Sequence, residues 1–239
     1  MKLTYIFHSG FVLENDNFSM IIDYYKDSNE DNDGIVHQKV LKNNKKLYIL
    51  CTHSHQDHFN PEILEWKKQR NDIVYIFSKD ILDNKMATEG DAIYMDKLDT
   101  YKDGILSIQA FGSTDLGISF LIKADDKTIF HAGDLNNWHW NEESTEEEIN
   151  EAENYYNDEL TLLSEHVQHL DLVMFPIDIR LGKDYMKGAE QFLNTIETDI
   201  FVPMHFGNNY GSIVAFADFA IQKRCNSISW KYKGQSIEF

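Results

Sequence analysis

Apolar residues along this chain form many short runs that end at polar turns. The runs are rich in β-branched and aromatic residues, a pattern typical of strands. They predict strands at residues 3–8, 11–14, 18–23, 47–52, 73–77, 105–111, 118–123, 128–131, 172–175, 200–203, 230–232 and 236–239. Asp125-Asp126 predicts a hairpin turn between two of these strands. The strand pattern therefore extends over the whole sequence.

One stretch in the second half has the periodicity of a long amphipathic helix. Its apolar residues are spaced by three and four, in the order Ile149, Ala152, Tyr156, Leu160, Leu163, Val167 and Leu170. Just before it, Ser144-Thr145-Glu146-Glu147 fits a capping box. Shorter helices are predicted from Asn60-Pro61 to about residue 70, and at about 185–196 and 212–223. Strands and helices mix along the chain, which predicts one α/β domain over residues 1–239.

Charge narrows the choice of partners. The chain has 22 Lys and Arg against 40 Asp and Glu, a formal net charge of −18 at pH 7. A surface this acidic repels phosphate backbones, which argues against nucleic acid as a partner. A local basic patch on the surface is still compatible with this net charge.

Two further features bear on location. No apolar run reaches about 18 residues, so the sequence predicts no transmembrane helix and no membrane partner. The first residues favour a strand rather than a signal peptide. Cys51 and Cys225 are too few for a disulfide framework. We expect a cytoplasmic protein, with one disulfide between these cysteines as the alternative.

The strongest chemical signal is His53-Ser54-His55-Gln56-Asp57-His58, directly after the strand predicted at 47–52. Three imidazoles and a carboxylate within six residues are a typical set of metal ligands. Side chains at positions i and i+2 of an extended segment point the same way, so His53 and His55 can bind one ion. Asp57 and His58 follow as the chain turns, and can reach a second ion.

This motif reads HxHxDH, and the chain resembles the metallo-β-lactamase superfamily. The resemblance includes Asp23 at a strand end, His131-Ala132-Gly133-Asp134, and Pro203-Met204-His205. It implies a four-layer αββα sandwich that binds one or two divalent metal ions. The ligands it implies are His53, His55, Asp57, His58, Asp134 and His205, with Asp134 bridging the ions.

One position departs from the family pattern. The family usually has Gly-His-Thr-x-Gly between the two metal motifs, whereas this chain has Ser113 in place of that His. Either Asp115 replaces it as an oxygen ligand, or Asp115 only caps a turn and the first metal site is under-coordinated. We expect Zn²⁺, and an added carboxylate would shift the preference towards Mn²⁺ or Fe²⁺.

Several other candidate site residues each allow more than one interpretation. His131 is either a ligand or hydrogen-bond partner near Asp134, or a buried strand-end residue. Asp23 is expected to orient a ligand. His8 either supports the metal site or contacts the substrate, or it only forms a turn. The predicted lining of a possible substrate pocket is Trp138, His139, Trp140, Arg180 and Asn208. The alternative is a loop packed by its own aromatic rings, with Arg180 in a structural ion pair.

The resemblance implies a metal-dependent hydrolase of the compact lactonase-like branch, with a binuclear centre. Asp57 and Asp134 are the expected catalytic residues, acting on a small ester, lactone or phosphoester through a metal-activated water. One alternative is a metal-dependent phosphodiesterase or nuclease on the same fold. The other is a metal-binding protein whose hydrolase activity is weakened or lost.

Overall fold

The computed structural model describes residues 1–30 and 33–239, which form two compact units. The first unit comprises Met1–Asp96 and Trp230–Phe239, and the second comprises Lys97–Ser229. Within the described residues, each unit has one seven-stranded sheet that carries helices. The α/β class is therefore confirmed, while the single domain over residues 1–239 stays a prediction.

The sheet of the first unit combines an antiparallel and a parallel half. Its strands are β1 (Lys2–Phe7), β2 (Gly10–Glu14), β3 (Phe18–Ile22), β4 (Lys46–Cys51), β5 (Ile73–Ser78), β6 (Ile93–Met95) and β14 (Ser236–Glu238). They are ordered β14-β1-β2-β3-β4-β5-β6, and β3 to β6 run parallel. Ile22 pairs with Leu50, so β3 and β4 end at the same edge of the sheet. The segments that follow these two strands therefore start side by side.

Short helices connect the parallel strands of the first unit. They are a π-helical turn (Val36–Val40), α1 (Glu62–Glu65) with a 3₁₀ turn (Trp66–Lys68), and α2 (Lys79–Asp83). The helix predicted to reach residue 70 is thus only one turn of α-helix before it tightens. Trp66 is buried, and its ring packs edge-on against Tyr24 at 4.8 Å between centroids. This packing anchors the helical segment to the sheet.

The sheet of the second unit also combines an antiparallel half and a parallel half. Its strands are β7 (Thr100–Lys102), β8 (Leu106–Phe111), β9 (Ser119–Ala124), β10 (Lys127–His131), β11 (His169–Pro176), β12 (Glu197–Met204) and β13 (Asn226–Ser227). They are ordered β13-β12-β11-β10-β9-β8-β7, and β10 to β13 run parallel. The carboxyl ends of neighbouring parallel strands meet at one edge, where loops gather functional side chains. Asp134, Asp178 and His205 follow β10, β11 and β12.

The helices of the second unit are α3 (Glu146–His166), α4 (Lys187–Thr195) and α5 (Phe216–Gln222). The long helix ends earlier than its apolar spacing predicts. Val167 has extended backbone angles (φ −144°, ψ 127°), and Leu170 belongs to β11. Both residues are buried, so the apolar spacing continues across the junction while the backbone changes. None of the helices described is long and apolar enough to cross a membrane.

Two further sequence predictions are corrected. Residues 230–232 do not form a strand; Trp230 instead stacks on Tyr5, with ring centroids 5.4 Å apart. The capping box of α3 lies one residue later than predicted. Thr145 is the N-cap, and the Glu148 carboxylate accepts a hydrogen bond from the Thr145 backbone N–H. Cys51 and Cys225 are both buried free cysteines.

We expect Thr145→Ala to lower the free energy of unfolding by about 1 kcal/mol, because the Glu148 backbone N–H loses its capping oxygen. Urea denaturation followed by circular dichroism measures this change. Ser144→Ala is the matched control and should stay within about 0.5 kcal/mol of the parent. A loss in Ser144→Ala without one in Thr145→Ala would place the cap at Ser144 instead.

Candidate metal centre

A buried carboxylate organises the metal loop of the first unit. Asp23 follows β3, and its backbone N–H donates to the Leu50 carbonyl on β4 (2.9 Å). Its side chain accepts hydrogen bonds from the Thr52 N–H (2.8 Å) and the Thr52 hydroxyl (2.7 Å). The same carboxylate lies 2.7 Å from His58 Nδ1. Asp23, Thr52 and His58 are fully buried, so this contact fixes the orientation of the imidazole.

The contact also sets the role of each His58 nitrogen. A carboxylate accepts hydrogen bonds, so Nδ1 carries the proton, and Nε2 is the nitrogen that His58 offers to a metal. Metal-binding histidines typically donate their second nitrogen to a carboxylate in this way. The structure therefore gives Asp23 the orienting contact that the sequence predicts for it.

His53 and His55 come together at the start of the loop. His53 Nε2 and His55 Nδ1 are 3.1 Å apart. Two nitrogens bound to one tetrahedral Zn²⁺ at about 2.0–2.1 Å would be about 3.3 Å apart, so the spacing fits a shared ion. The loop is fixed from outside by Asp80, whose carboxylate accepts the Ser54 N–H at 2.8 Å. The His53 and His55 pair therefore has the geometry of a metal-binding pair.

His8 and Asp57 add two more donor atoms in the first unit. His8 Nε2 lies 3.2 Å from an Asp57 carboxylate oxygen. Ligand atoms of His8, Asp57 and His58 all lie within 4.8 Å of one another. Asp57 is 41% exposed in its side chain, unlike His58, so it faces solvent more than the loop interior. His8 is thus a third possible ligand beside Asp57 and His58.

The second unit brings Asp134 and His205 together. His205 Nε2 lies 3.4 Å from Asp134 Oδ1, a separation that also suits two ligands of one ion. His205 Nδ1 lies 2.9 Å from Asp178 Oδ2, and all three side chains are buried. Asp178 therefore does for His205 what Asp23 does for His58.

Asp178 is a site residue that the sequence prediction did not include. Burial raises the pKa of its carboxyl group, but hydrogen bonds from His205 and Arg180 outweigh burial and hold the pKa well below its usual range. Asp178 is therefore ionised at neutral pH. The available signal was its place two residues after the end of β11, since Asp23 likewise follows a parallel strand.

Backbone strain accompanies several of these residues. His8, Asp23 and His205 have positive φ angles of 58°, 48° and 63°. Residues other than glycine adopt this left-handed region rarely and at some energetic cost. Each of the three lies directly after a strand, where the chain turns sharply. At these three positions the strain coincides with the presentation of a possible donor or orienting side chain.

The segment that departs from the family pattern also approaches Asp134. The Thr114 hydroxyl bonds to the Asn136 carbonyl (2.6 Å) and N–H (2.9 Å), which joins this segment to the loop after β10. Carboxylate oxygens of Asp115 and Asp134 lie within 4.8 Å of one another. Ser113 accepts the Asp115 N–H through its hydroxyl at 3.3 Å. Asp115 thus both belongs to a turn and has its carboxylate near a proposed ligand.

His131 lies buried at the end of β10. Its Nδ1 accepts the Gly133 N–H at 3.1 Å, within the turn that leads to Asp134. Gly133 has a φ of +54°, which a residue without a Cβ adopts readily. His131 therefore contacts the turn that presents Asp134.

Aromatic residues flank the same strand edge. Trp138 donates its indole N–H to the Asp134 carbonyl (2.8 Å) and meets the His205 ring edge-on at 5.6 Å. Trp140 stacks on Trp138 at 6.1 Å and has a φ of +41°, rare for so large a residue. The Arg180 guanidinium lies 6.0 Å from the Trp140 ring centre. These rings form a rigid wall next to Asp134 and His205.

The remaining pocket candidates have different surroundings. The two nitrogens of buried His139 contact the Asn141 N–H (3.2 Å) and the Asp184 carbonyl (3.3 Å), so its ring shapes the loop. Arg180 binds Asp178 through Nε and Nη2, the structural ion pair that the sequence left as an alternative. Asn208 is exposed in the loop after His205.

Comparison with known proteins identifies relatives over most of the chain. Residues 2–151, more than half of the sequence, match the family model of the beta-lactamase superfamily domain. The resemblance carried by residues 53–58 is therefore confirmed. A UPF0173 metal-dependent hydrolase from Desulforamulus reducens is 32% identical over 150 residues, which is 56% of this chain. The match spans 62% of that relative, less than two thirds of its length.

Solved structures share the fold. Igni18, a metallo hydrolase from Ignicoccus hospitalis, superposes with a TM-score of 0.69 at 19% identity, covering 100% of this chain and 98% of that one. CmlA, a diiron β-hydroxylase from Streptomyces venezuelae, has a TM-score of 0.68 at 14% identity, covering 100% of this chain and 54% of that one. The predicted metallo-β-lactamase-like fold is confirmed. Because these two proteins differ in chemistry, the fold alone does not assign an activity.

We expect Asp23→Ala to lower the free energy of unfolding by about 3 kcal/mol. The change leaves three buried donors, on Thr52 and His58, without their acceptor, and each such donor costs about 1–3 kcal/mol. Urea unfolding in the presence of a chelator measures the loss without any contribution from bound metal. Asp57→Ala, at a more exposed carboxylate, should change stability by less than about 1 kcal/mol. Similar losses in both variants would contradict this role of Asp23.

Proposed function

From the premise that this chain belongs to the beta-lactamase superfamily, we propose that it is a metal-dependent hydrolase. The observation that carries the proposal is the repeated carboxylate–histidine pair. Asp23 holds His58 and Asp178 holds His205, each through Nδ1 and each in a buried setting. A histidine with a purely structural role does not require a buried carboxylate at Nδ1, yet this arrangement occurs here at two strand ends. It prepares two Nε2 atoms for metal binding.

We further propose that six residues are metal ligands, four in the first unit and two in the second. They are His53, His55, Asp57, His58, Asp134 and His205. Support comes from the donor pairs inside each unit, which are 3.1 Å apart at His53 and His55 and 3.4 Å apart at Asp134 and His205. Six donors exceed what a single tetrahedral ion takes, which favours two ions.

A divalent ion at these ligands would supply Lewis-acid catalysis and an activated water near neutral pH. The chain's own residues supply the rest. The Asp57 carboxylate is partly exposed and lies beside His8, which supports the proposal that Asp57 orients the nucleophile. Asp134 is proposed as the bridging ligand. A small ester, lactone or phosphoester is the proposed substrate class, and a charge of −18 argues against long nucleic acids within the phosphodiesterase alternative.

The donor set also bears on the metal. Asp115 near Asp134 would add an oxygen ligand where the family usually has an imidazole. Oxygen donors suit Mn²⁺ and Fe²⁺ better than they suit Zn²⁺. We propose Zn²⁺ as the resident ion, with Mn²⁺ or Fe²⁺ as alternatives. Elemental analysis of protein purified without added metal decides among them.

We propose the Trp138 and Trp140 wall as part of the substrate pocket. Trp138 touches both Asp134 and His205, so a substrate bound to these ligands would lie against its ring. The strained backbone at Trp140 is of the kind that persists at binding sites. Arg180 extends this wall, and its side chain is 63% exposed. The wall favours a substrate with an apolar or planar group next to the scissile bond.

We also propose a reducing compartment, the cytoplasm, as the location. Cys51 and Cys225 are buried as free thiols. Burial raises the pKa of the Cys225 thiol to about 12, which keeps it protonated and unreactive at neutral pH.

We expect Asp57→Ala to lower turnover by at least about 100-fold while stability changes little, because Asp57 orients reacting groups rather than packing in the core. The assay compares 4-nitrophenyl acetate, a γ-lactone and bis(4-nitrophenyl) phosphate at saturating metal, with metal content measured for every sample. Asp16→Ala, at an exposed loop acid of the first unit, is the control and should keep full activity.

One outcome would contradict the role of Asp57, and another would contradict the hydrolase proposal. Equal and modest changes in turnover and stability would make the Asp57 loop structural. Metal-loaded parent protein that binds metal at His53–His58 but turns over none of the three substrates would instead support the alternative of a metal-binding protein with lost activity.

We expect Asp115→Ala to weaken metal binding by about 10-fold or more if its carboxylate is a ligand, an effect typical of residues that hold a metal site. Ser113→His should raise Zn²⁺ affinity by restoring an imidazole donor. Titration with Zn²⁺ and Mn²⁺ by calorimetry measures both changes. If Asp115 only caps a turn, its variant should keep full metal content and lose about 1 kcal/mol of stability. Unchanged affinity in both variants would remove this segment from the metal centre.

A further inference from the structure

The first unit has a cavity that the proposed hydrolase chemistry does not use. It has a volume of about 670 Å³ and lies between the loop after the π-helical turn and the loop after the 3₁₀ turn. Its lining consists of Leu41, Lys42, Asn43, Asn44, Lys67, Lys68, Gln69, Arg70, Asn71 and Asp72. None of these residues belongs to the candidate metal centre. The size is within the range of small-molecule sites.

The charge of this cavity is opposite to that of the chain. Its lining carries four cations against one carboxylate, whereas the whole protein has a net charge of −18. Residues 39–46 and 67–70 contain seven of the 22 Lys and Arg and no Asp or Glu. Cations spread at random would not gather here so strongly. Clefts lined by one sign of charge concentrate counter-ions of the other.

Arg70 makes the cavity a rigid one. Its side chain is only 9% exposed, and its guanidinium binds both Asp72 carboxylate oxygens. It also donates to the carbonyls of Val40, Asn43 and Lys45, on the opposite loop. The hydrogen bond from Arg70 holds the pKa of Asp72 below its usual value. One arginine thus fixes both walls, so a ligand would meet a preformed site.

The lysines at the rim remain able to reach a ligand. Lys42 bonds to the Gln38 side chain, Lys67 pairs with Asp91, and Lys68 pairs with Glu65. The Lys67 and Lys68 side chains are 50% and 71% exposed, and exposed pairs contribute about 1 kcal/mol or less. A ligand with several negative charges can compete with such pairs.

We propose that this cavity binds a small multivalent anion of the phosphorylated type. Leu41 is the one apolar side chain in the lining, which argues against a hydrophobic ligand. Amides of Asn43, Asn44, Gln69 and Asn71 provide additional donors. A long polyanion would extend onto the acidic remainder of the surface, so a compact ligand is favoured over nucleic acid.

Titration with inorganic diphosphate, at constant ionic strength, tests the proposal. We expect saturable binding by calorimetry and amide shifts at residues 41–45 and 67–72 in ¹⁵N NMR spectra. The double variant Lys42→Glu, Lys68→Glu should bind at least 10-fold more weakly, while Lys102→Glu, Lys223→Glu, which makes the same change in net charge at exposed sites of the second unit, should bind as the parent does. Circular dichroism confirms that both variants are folded.

Three results would overturn the proposal. The first is the absence of saturable binding. The second is an equal loss in both double variants, which would reflect net charge alone. The third is shifts confined to residues 53–58, which would show diphosphate at the metal centre instead. The result of this titration does not depend on whether the metal centre hydrolyses any substrate.

Discussion

The hydrogen bonds of one buried carboxylate hold the candidate metal loop in place. Asp23 lies beyond the end of β3 and receives both donors of Thr52 and the imidazole of His58. Because these donors are fully buried, water cannot replace the carboxylate as their acceptor. The loop is therefore held in the arrangement that keeps these hydrogen bonds. The first proposed ligand, His53, follows Thr52 directly. The position of the whole HxHxDH segment therefore depends on a residue some thirty positions earlier in the chain.

The second unit uses the same principle with different residues. Asp178 follows β11 and orients His205, which follows the neighbouring strand β12. Parallel pairing makes this possible, because it brings the carboxyl ends of successive strands to one edge. Arg180 and His205 compensate for the burial of the Asp178 charge, which is reflected in its lowered pKa. A carboxylate between a cation and a histidine keeps the imidazole in a single orientation.

The strained backbone of these sites lies in the loops, and the strands of the sheets hold it in place. His8, Asp23 and His205 take left-handed backbone angles, and Trp140 does so despite its bulk. Such conformations persist only where the surroundings determine them strongly. The strands before His8, Asp23 and His205 are mostly buried and pair with neighbouring strands, so the sheets provide that support. The basic cavity follows a similar rule, since Arg70 fixes two loops by bonding to their carbonyls.

The sequence by itself determined the α/β class, most strands, the long helix and the family, because each depends on local periodicity or on a motif within six residues. Asp23 was also foreseen, since it ends a strand in the family pattern. Tertiary structure alone decided the rest. Asp178 has no motif around it, and only the pairing of β11 with β12 brings it to His205. The end of α3 at His166 was hidden because burial continues through Val167 and Leu170 while the backbone becomes extended.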